Sequence, residues 1–132
     1  MQIDKANIKW KDDTHTILCC DLADDWNWQD LHTALDAALK MIEGETHRVD
    51  LIVRMQGTVK VAPNAMSELL TLAKYHPQNL TLMVFITVST TFLSLYNVIS
   101  RVSNHAKAFY RLTDSKSGAL QIIKDDRDNA SV

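Results

Sequence analysis

Apolar and polar side chains alternate along residues 47–56. Val49, Leu51, Val53 and Met55 leave one side of an extended segment, and Arg48, Asp50, Arg54 and Gln56 leave the other. The pattern predicts a strand with one covered face and one partly wet face. A polar loop over residues 57–63 follows. Pro63 then opens a helix whose apolar face is Met66, Leu69, Leu70 and Ala73, and His76-Pro77 stops it. Upstream, Ile8 and Trp10 alternate with Lys9 and Lys11, Asp12-Asp13-Thr14 supplies turn residues, and residues 15–22 resume an extended pattern. Together these predict an opening β-hairpin. Asp24, Asp25 and Asn27 offer caps for a helix with the stripe Trp28, Leu31, Leu35, Ala38, Leu39 and Ile42, ending near Gly44.

Downstream, Leu80, Leu82, Val84, Ile86 and Val88 alternate with Thr81, Met83, Phe85 and Thr87, which predicts a central strand with one strongly apolar and one mixed face. Residues 89–91 cap a helix carrying Phe92, Leu95, Tyr96, Ile99 and Val102. A short strand over 107–112 leads through Asp114 into a last helix with Ala119, Leu120 and Ile123. Residues 125–132 are polar and read as a loose tail. The expected architecture is one α/β domain over residues 1–124. It has an opening hairpin, repeated strand-helix units, a mostly parallel five-stranded sheet with right-handed crossovers, and about four helices.

At 132 residues the chain is long enough to bury a core without cross-links. Its two cysteines, Cys19 and Cys20, are adjacent in a predicted strand, so their side chains leave on opposite faces and do not readily bond to each other. Free buried thiols point to a reducing, cytoplasmic setting. The first residues lack the apolar stretch of a signal peptide, and the longest strongly apolar run, residues 82–86, is too short to span a bilayer. A net charge of −2 with both signs scattered offers no basic stripe for nucleic acid.

The order of elements, the tryptophans at the first helix, the RVDLIVRM strand, the turn before the helix of Pro63 and the closing FYRLTDSKSGALQII segment resemble the STAS domain superfamily. More narrowly, the chain looks like its SpoIIAA-like group, whose fold is also compared with the lipid-binding SEC14 domain. The resemblance runs from about Ile8 to about Lys124 and implies a regulatory or interaction domain. In the superfamily's anti-sigma-factor antagonists a serine at the start of the helix after the third strand is phosphorylated. The stretch VAPNAMSELL puts Pro63 and Asn64 there, and Ser67 lies a turn further on, so the resemblance carries no acceptor hydroxyl to this chain.

Chemistry-bearing residues give little more. Asp21, Asp24, Asp25 and Asp30 beside Asn27 are arranged for helix capping rather than in the ordered spacing of a calcium loop. The five histidines are dispersed, with none at the spacing that shares a helix face. No Gly-x-Ser-x-Gly elbow, phosphate-cradling loop or dinucleotide fingerprint is present, so no catalytic residue, cofactor or metal is expected. Thr87, Ser89, Thr90 and Thr91 read as caps. Three surfaces remain as candidates. The first is an interaction loop, Gly57, Thr58, Lys60, Pro63, Asn64 and Ser67. The second is an apolar or lipid-like pocket between the first or third helix and the sheet, lined by Trp26, Trp28, Phe92 and Tyr96. The third is a mixed face of Arg48, Ile52, Arg54, Met83 and Phe85 suited to a homodimer, unless the first segment or one helix crosses and covers it. The expectation is a non-enzymatic interaction module that binds a protein partner or itself. The competing reading is a small carrier of an apolar molecule.

Overall fold

The hairpin forms where the turn residues allow it. In a computed structural model that describes residues 1–57 and 61–130, β1 (Gln2–Ile3), β2 (Ala6–Trp10) and β3 (Ile17–Leu22) run antiparallel, with Ile3 opposite Ala6 and Ile8 opposite Cys20. Asp4 takes a φ of 48° in the β1–β2 turn, a backbone state that aspartate tolerates better than most residues. This tight turn adds a sixth strand to the expected five. His15, at φ 53°, closes the wider β2–β3 turn, where Asp12 accepts from the Thr14 backbone N–H.

From β3 onward each strand feeds a helix. α1 (Trp28–Glu43) opens on a reciprocal cap, in which the Asn27 side chain accepts from the Asp30 backbone and Asp30 accepts from the Asn27 backbone. β4 (Val49–Met55), α2 (Ala65–Tyr75), β5 (Leu80–Ile86) and α3 (Thr90–Val102) follow, α3 being capped by Ser89. Residues 104–109 are a short helix, α4 (Asn104–Phe109), where a strand from residue 107 was expected. Ser103 caps it by accepting from the Ala106 N–H, and Ala106 and Phe109, three residues apart, are its buried side. The strand β6 (Tyr110–Thr113) begins only afterwards, and α5 (Lys116–Ala130) closes the order.

The fold is α/β, with a six-stranded sheet in the order β1-β2-β3-β4-β5-β6, parallel from β3 to β6. Parallel neighbours joined by right-handed crossovers in sequential order put their helices on one face. Accordingly α1 to α4 share a core with Ile8, Leu18, Cys20, Leu51, Val53, Met83, Phe85 and Tyr110. The opposite face carries Ile17, Cys19, Ile52, Leu82, Val84 and Ile86, and α5 covers it with Ala119 and Ile123. Cys19 and Cys20 lie on opposite faces, both unpaired.

The face of β5 is the reverse of the expected one. A register shift between Val49 and Leu51 pairs Val49 with Leu80 but Leu51 with Met83, so Leu80 and Met83 end on the same side. Met83 and Phe85 therefore point into the main core, and Leu82, Val84 and Ile86 point toward α5.

The expected loose tail is also corrected, because α5 continues to Ala130. Its far end is tied to Asp50, a fully buried carboxylate on β4. Asp50 accepts from Arg127 Nε at 2.9 Å, from Arg48 Nε at 3.2 Å and from the Leu82 backbone N–H at 3.0 Å. Arg127 also donates to the Thr16 carbonyl at 2.7 Å, and Arg48 to Asp126 at 2.8 Å. A carboxylate without water needs such donors.

Candidate functional site

The loops after β3 and β4 are clamped together. Trp26, buried, donates its indole N–H to the Gln56 carbonyl at 3.0 Å. Next to it Gly57 holds φ 69°, and a Cβ there would come within 2.8 Å of the Asp24 carbonyl oxygen. Only glycine meets both demands. Of the expected interaction loop, Thr58 and Lys60 lie outside the described residues. Pro63, Asn64 and Ser67 are exposed at the start of α2. Asn64 makes no cap with its side chain, which instead donates to Glu68.

Glu68 also accepts from the Trp28 indole N–H at 2.9 Å. Both residues line a groove between α1 and α2, of about 370 Å³. Its apolar lining is Trp28, Leu31, Leu35 and Leu39 from α1 and Leu69 and Leu72 from α2. His32, Asp36, Ser67, Glu68, Thr71 and Tyr75 complete it, Tyr75 being largely exposed. The groove differs from the expected pocket. Trp28 lines it, but Trp26 is buried in the core, Phe92 packs edge-on against Phe85 at 4.9 Å, and the Tyr96 hydroxyl donates to the Tyr110 carbonyl at 3.2 Å. The reason is topological: the strand order sets α2 between α1 and α3, so aromatics of the first and third helices do not converge. The leucine ladder 31-35-39 was legible in the sequence, and its facing partners on α2 were not.

The expected homodimer patch does not form. Met83 and Phe85 are buried in the main core, while Ile52 lies on the opposite face beneath α5. Arg48 is engaged by Asp50 and Asp126, and Arg54 is exposed. The helix that covers this face is α5.

The remaining polar candidates are bound up in local structure. Asp25 pairs with Lys5 at 2.7 Å, and that bond draws its carboxyl below the usual range. Thr87 accepts from the Ser89 N–H, and Ser89 from the Phe92 N–H. His15 stacks on Trp10 with ring centroids 4.4 Å apart, and His76 stacks on Phe109 at 4.2 Å.

Burial pushes the Cys20 thiol up to about 12 and also raises Cys19. Neither is a thiolate at neutral pH, so neither is a ready nucleophile. The same shift fixes a pH dependence. The unfolded chain releases the Cys20 proton near its ordinary value of 9.0, while the folded chain keeps it. Above that pH the native state binds the extra proton, and stability falls by about 1.4 kcal/mol per unit through the window up to the folded value. Tyr110, whose hydroxyl donates to the Leu69 carbonyl, is raised by burial and adds to the decline. Denaturant titrations at stepped alkaline pH should show a shallower fall in Cys20→Ala than in the parent chain. Equal slopes would contradict the assignment.

Compared with family models, curated proteins and solved structures, the chain matches none of them. No helix among the described residues is long and apolar enough to cross a membrane.

Proposed function

We propose that this chain is a non-enzymatic STAS-like, SpoIIAA-like regulatory or interaction module of a reducing, cytoplasmic compartment, and that it receives an amphipathic helix of a protein partner in the α1–α2 groove. The supporting observation is the groove itself, walled by two helices and lined by leucines from both. A third helix fills such a slot by setting its own side-chain ridges between theirs. The groove's charged residues are Asp36 and Glu68, so the favoured partner carries Lys or Arg beside its apolar stripe. Ser67 lines the groove, and the exposed residues Pro63 and Asn64 stand just before it at the start of α2.

A second reading, a carrier of an apolar molecule, is favoured by the groove's size, since small-ligand pockets run from roughly 300 to 1,000 Å³. Leu39→Glu/Leu72→Glu tests both, because these positions are only half-buried, and a circular-dichroism melt checks that the double variant is folded. A basic amphipathic peptide built from leucine and lysine should bind the parent chain, shift tryptophan emission through Trp28, and bind the double variant at least tenfold more weakly. Native mass spectrometry of the chain as isolated supplies the contrast. A small apolar adduct that departs on denaturation, with no peptide binding, would overturn the module reading for the carrier. Unchanged peptide affinity in the variant would remove the groove from the reading, as would a homodimer formed by both chains alike.

A further inference from the structure

Charge is unevenly placed along this chain. Its net value is −2, yet residues 69–113 contain no Asp or Glu, and they hold Lys74, Arg101, Lys107 and Arg111. Because the sheet follows chain order, these residues are gathered at one end of the molecule, on α2, α3, α4 and β6. Within that end a polar hollow of about 420 Å³ lies between α3 and α4, lined by Asn97, Ser100, Arg101, Asn104 and Lys107. Asn104 and Lys107 also line an adjoining hollow of about 490 Å³ with Tyr96 and Arg111.

Three features of the first hollow point to an anion. No carboxylate lines it, and among the described residues neither Arg101 nor Lys107 forms an ion pair. Ser100 Oγ is shielded from solvent yet has no hydrogen-bond partner. A buried hydroxyl without a partner is uncommon and asks for one. Asn97 and Asn104 add amide donors at either side. The accessible donor set therefore combines a planar guanidinium, an ammonium and two amides, groups that hold phosphate oxygens through charge-assisted hydrogen bonds, and the Ser100 hydroxyl lies behind them, reached by a small side-chain rotation. Arg111 extends the field on the neighbouring side, although it leans toward Asp126 at 3.6 Å.

We propose that the α3–α4 hollow, lined by Asn97, Ser100, Arg101, Asn104 and Lys107, binds a phosphate group. Both sources of that group, a soluble phosphate ester and a phospholipid headgroup, present the same oxygens. Val98 and Val102, exposed on α3 beside Arg101, would meet the apolar layer beneath a headgroup.

The test uses the whole chain labelled with nitrogen-15. Inorganic phosphate is titrated against chloride at matched ionic strength, and cosedimentation is measured with phosphatidylcholine vesicles with and without phosphatidic acid. Arg101→Gln/Lys107→Gln alters only exposed side chains, and Lys40→Gln/Lys124→Gln makes the same charge change elsewhere. The proposal expects saturable shifts at the amides of the five lining residues, and binding at least tenfold weaker in the first double variant and unchanged in the second. Phosphate binding without vesicle binding assigns a soluble ester. Vesicle binding that requires phosphatidic acid and is competed by phosphate assigns a headgroup. Absence of saturable binding to either probe would overturn the site, and so would equal weakening in both double variants, which marks general screening. The groove between α1 and α2 takes no part in these readouts.

Discussion

Replacing Asp50 with alanine is expected to cost about 3–5 kcal/mol of unfolding free energy, the range found when one partner of a buried ion pair is removed. Asp50 is wholly buried and is the acceptor common to Arg48, Arg127 and the Leu82 N–H. Alanine leaves the amide without a partner between two strands and takes the buried carboxylate from Arg127, which keeps the Thr16 carbonyl. Arg48 retains Asp126. Both arginine side chains are roughly a quarter to a third exposed, so water relieves part of their charge and the loss belongs at the lower end of the range. Urea denaturation measures the total, and amide exchange locates it. Protection should fall most over the last two turns of α5. A loss below about 1 kcal/mol, the worth of an ordinary exposed pair, would show that the network does not hold the helix.

Phe85→Ala is expected to cost about 3–5 kcal/mol, the usual loss for a large aromatic removed from a core. Phe85 is 1% exposed and packs with Phe92 at 4.9 Å and Tyr110 at 5.6 Å, so truncation empties the meeting point of β5, α3 and β6. The result also decides the register of β5. If Phe85 stood on an open face beside Arg54, its loss would fall within about 0.5 kcal/mol, as surface changes generally do. Arg54→Ala supplies that reference in the same sheet. A near-neutral Phe85→Ala would place the strand the other way round.

That reversal shows where the sequence stops being legible. The hairpin, the alternation of strands and helices, the Asn27 cap and the divided faces of Cys19 and Cys20 can all be read from local pattern. In β5 both alternating sets are apolar, Leu82, Val84 and Ile86 against Met83 and Phe85, so periodicity names a buried strand and cannot say which side meets which helix. The register shift opposite Val49 settles it, and that shift has no signature in either strand alone. The end of α5 was lost for a related reason. Residues 125–128 look solvated, because the carboxylate that holds Arg127 stands 77 residues earlier in the chain. Residues 107–112 read as one short strand until Ser103 is recognised as a cap. The groove was half visible: Leu31, Leu35 and Leu39 form a ladder by spacing, but the gap that exposes them depends on how far α2 stands from α1.

The sequential strand order has a consequence for how the chain assembles. Each new strand pairs with the one made just before it, so the sheet can lengthen from one edge as the polypeptide emerges, without waiting for a distant segment. The exception is α5, whose Arg127 reaches back to the carbonyl of Thr16, 111 residues away. Until that helix swings across, the second face of the sheet stands bare, and its apolar strands are the surface most in need of shelter during synthesis. The buried carboxylate on β4 is thus the latch that fastens the last piece to arrive.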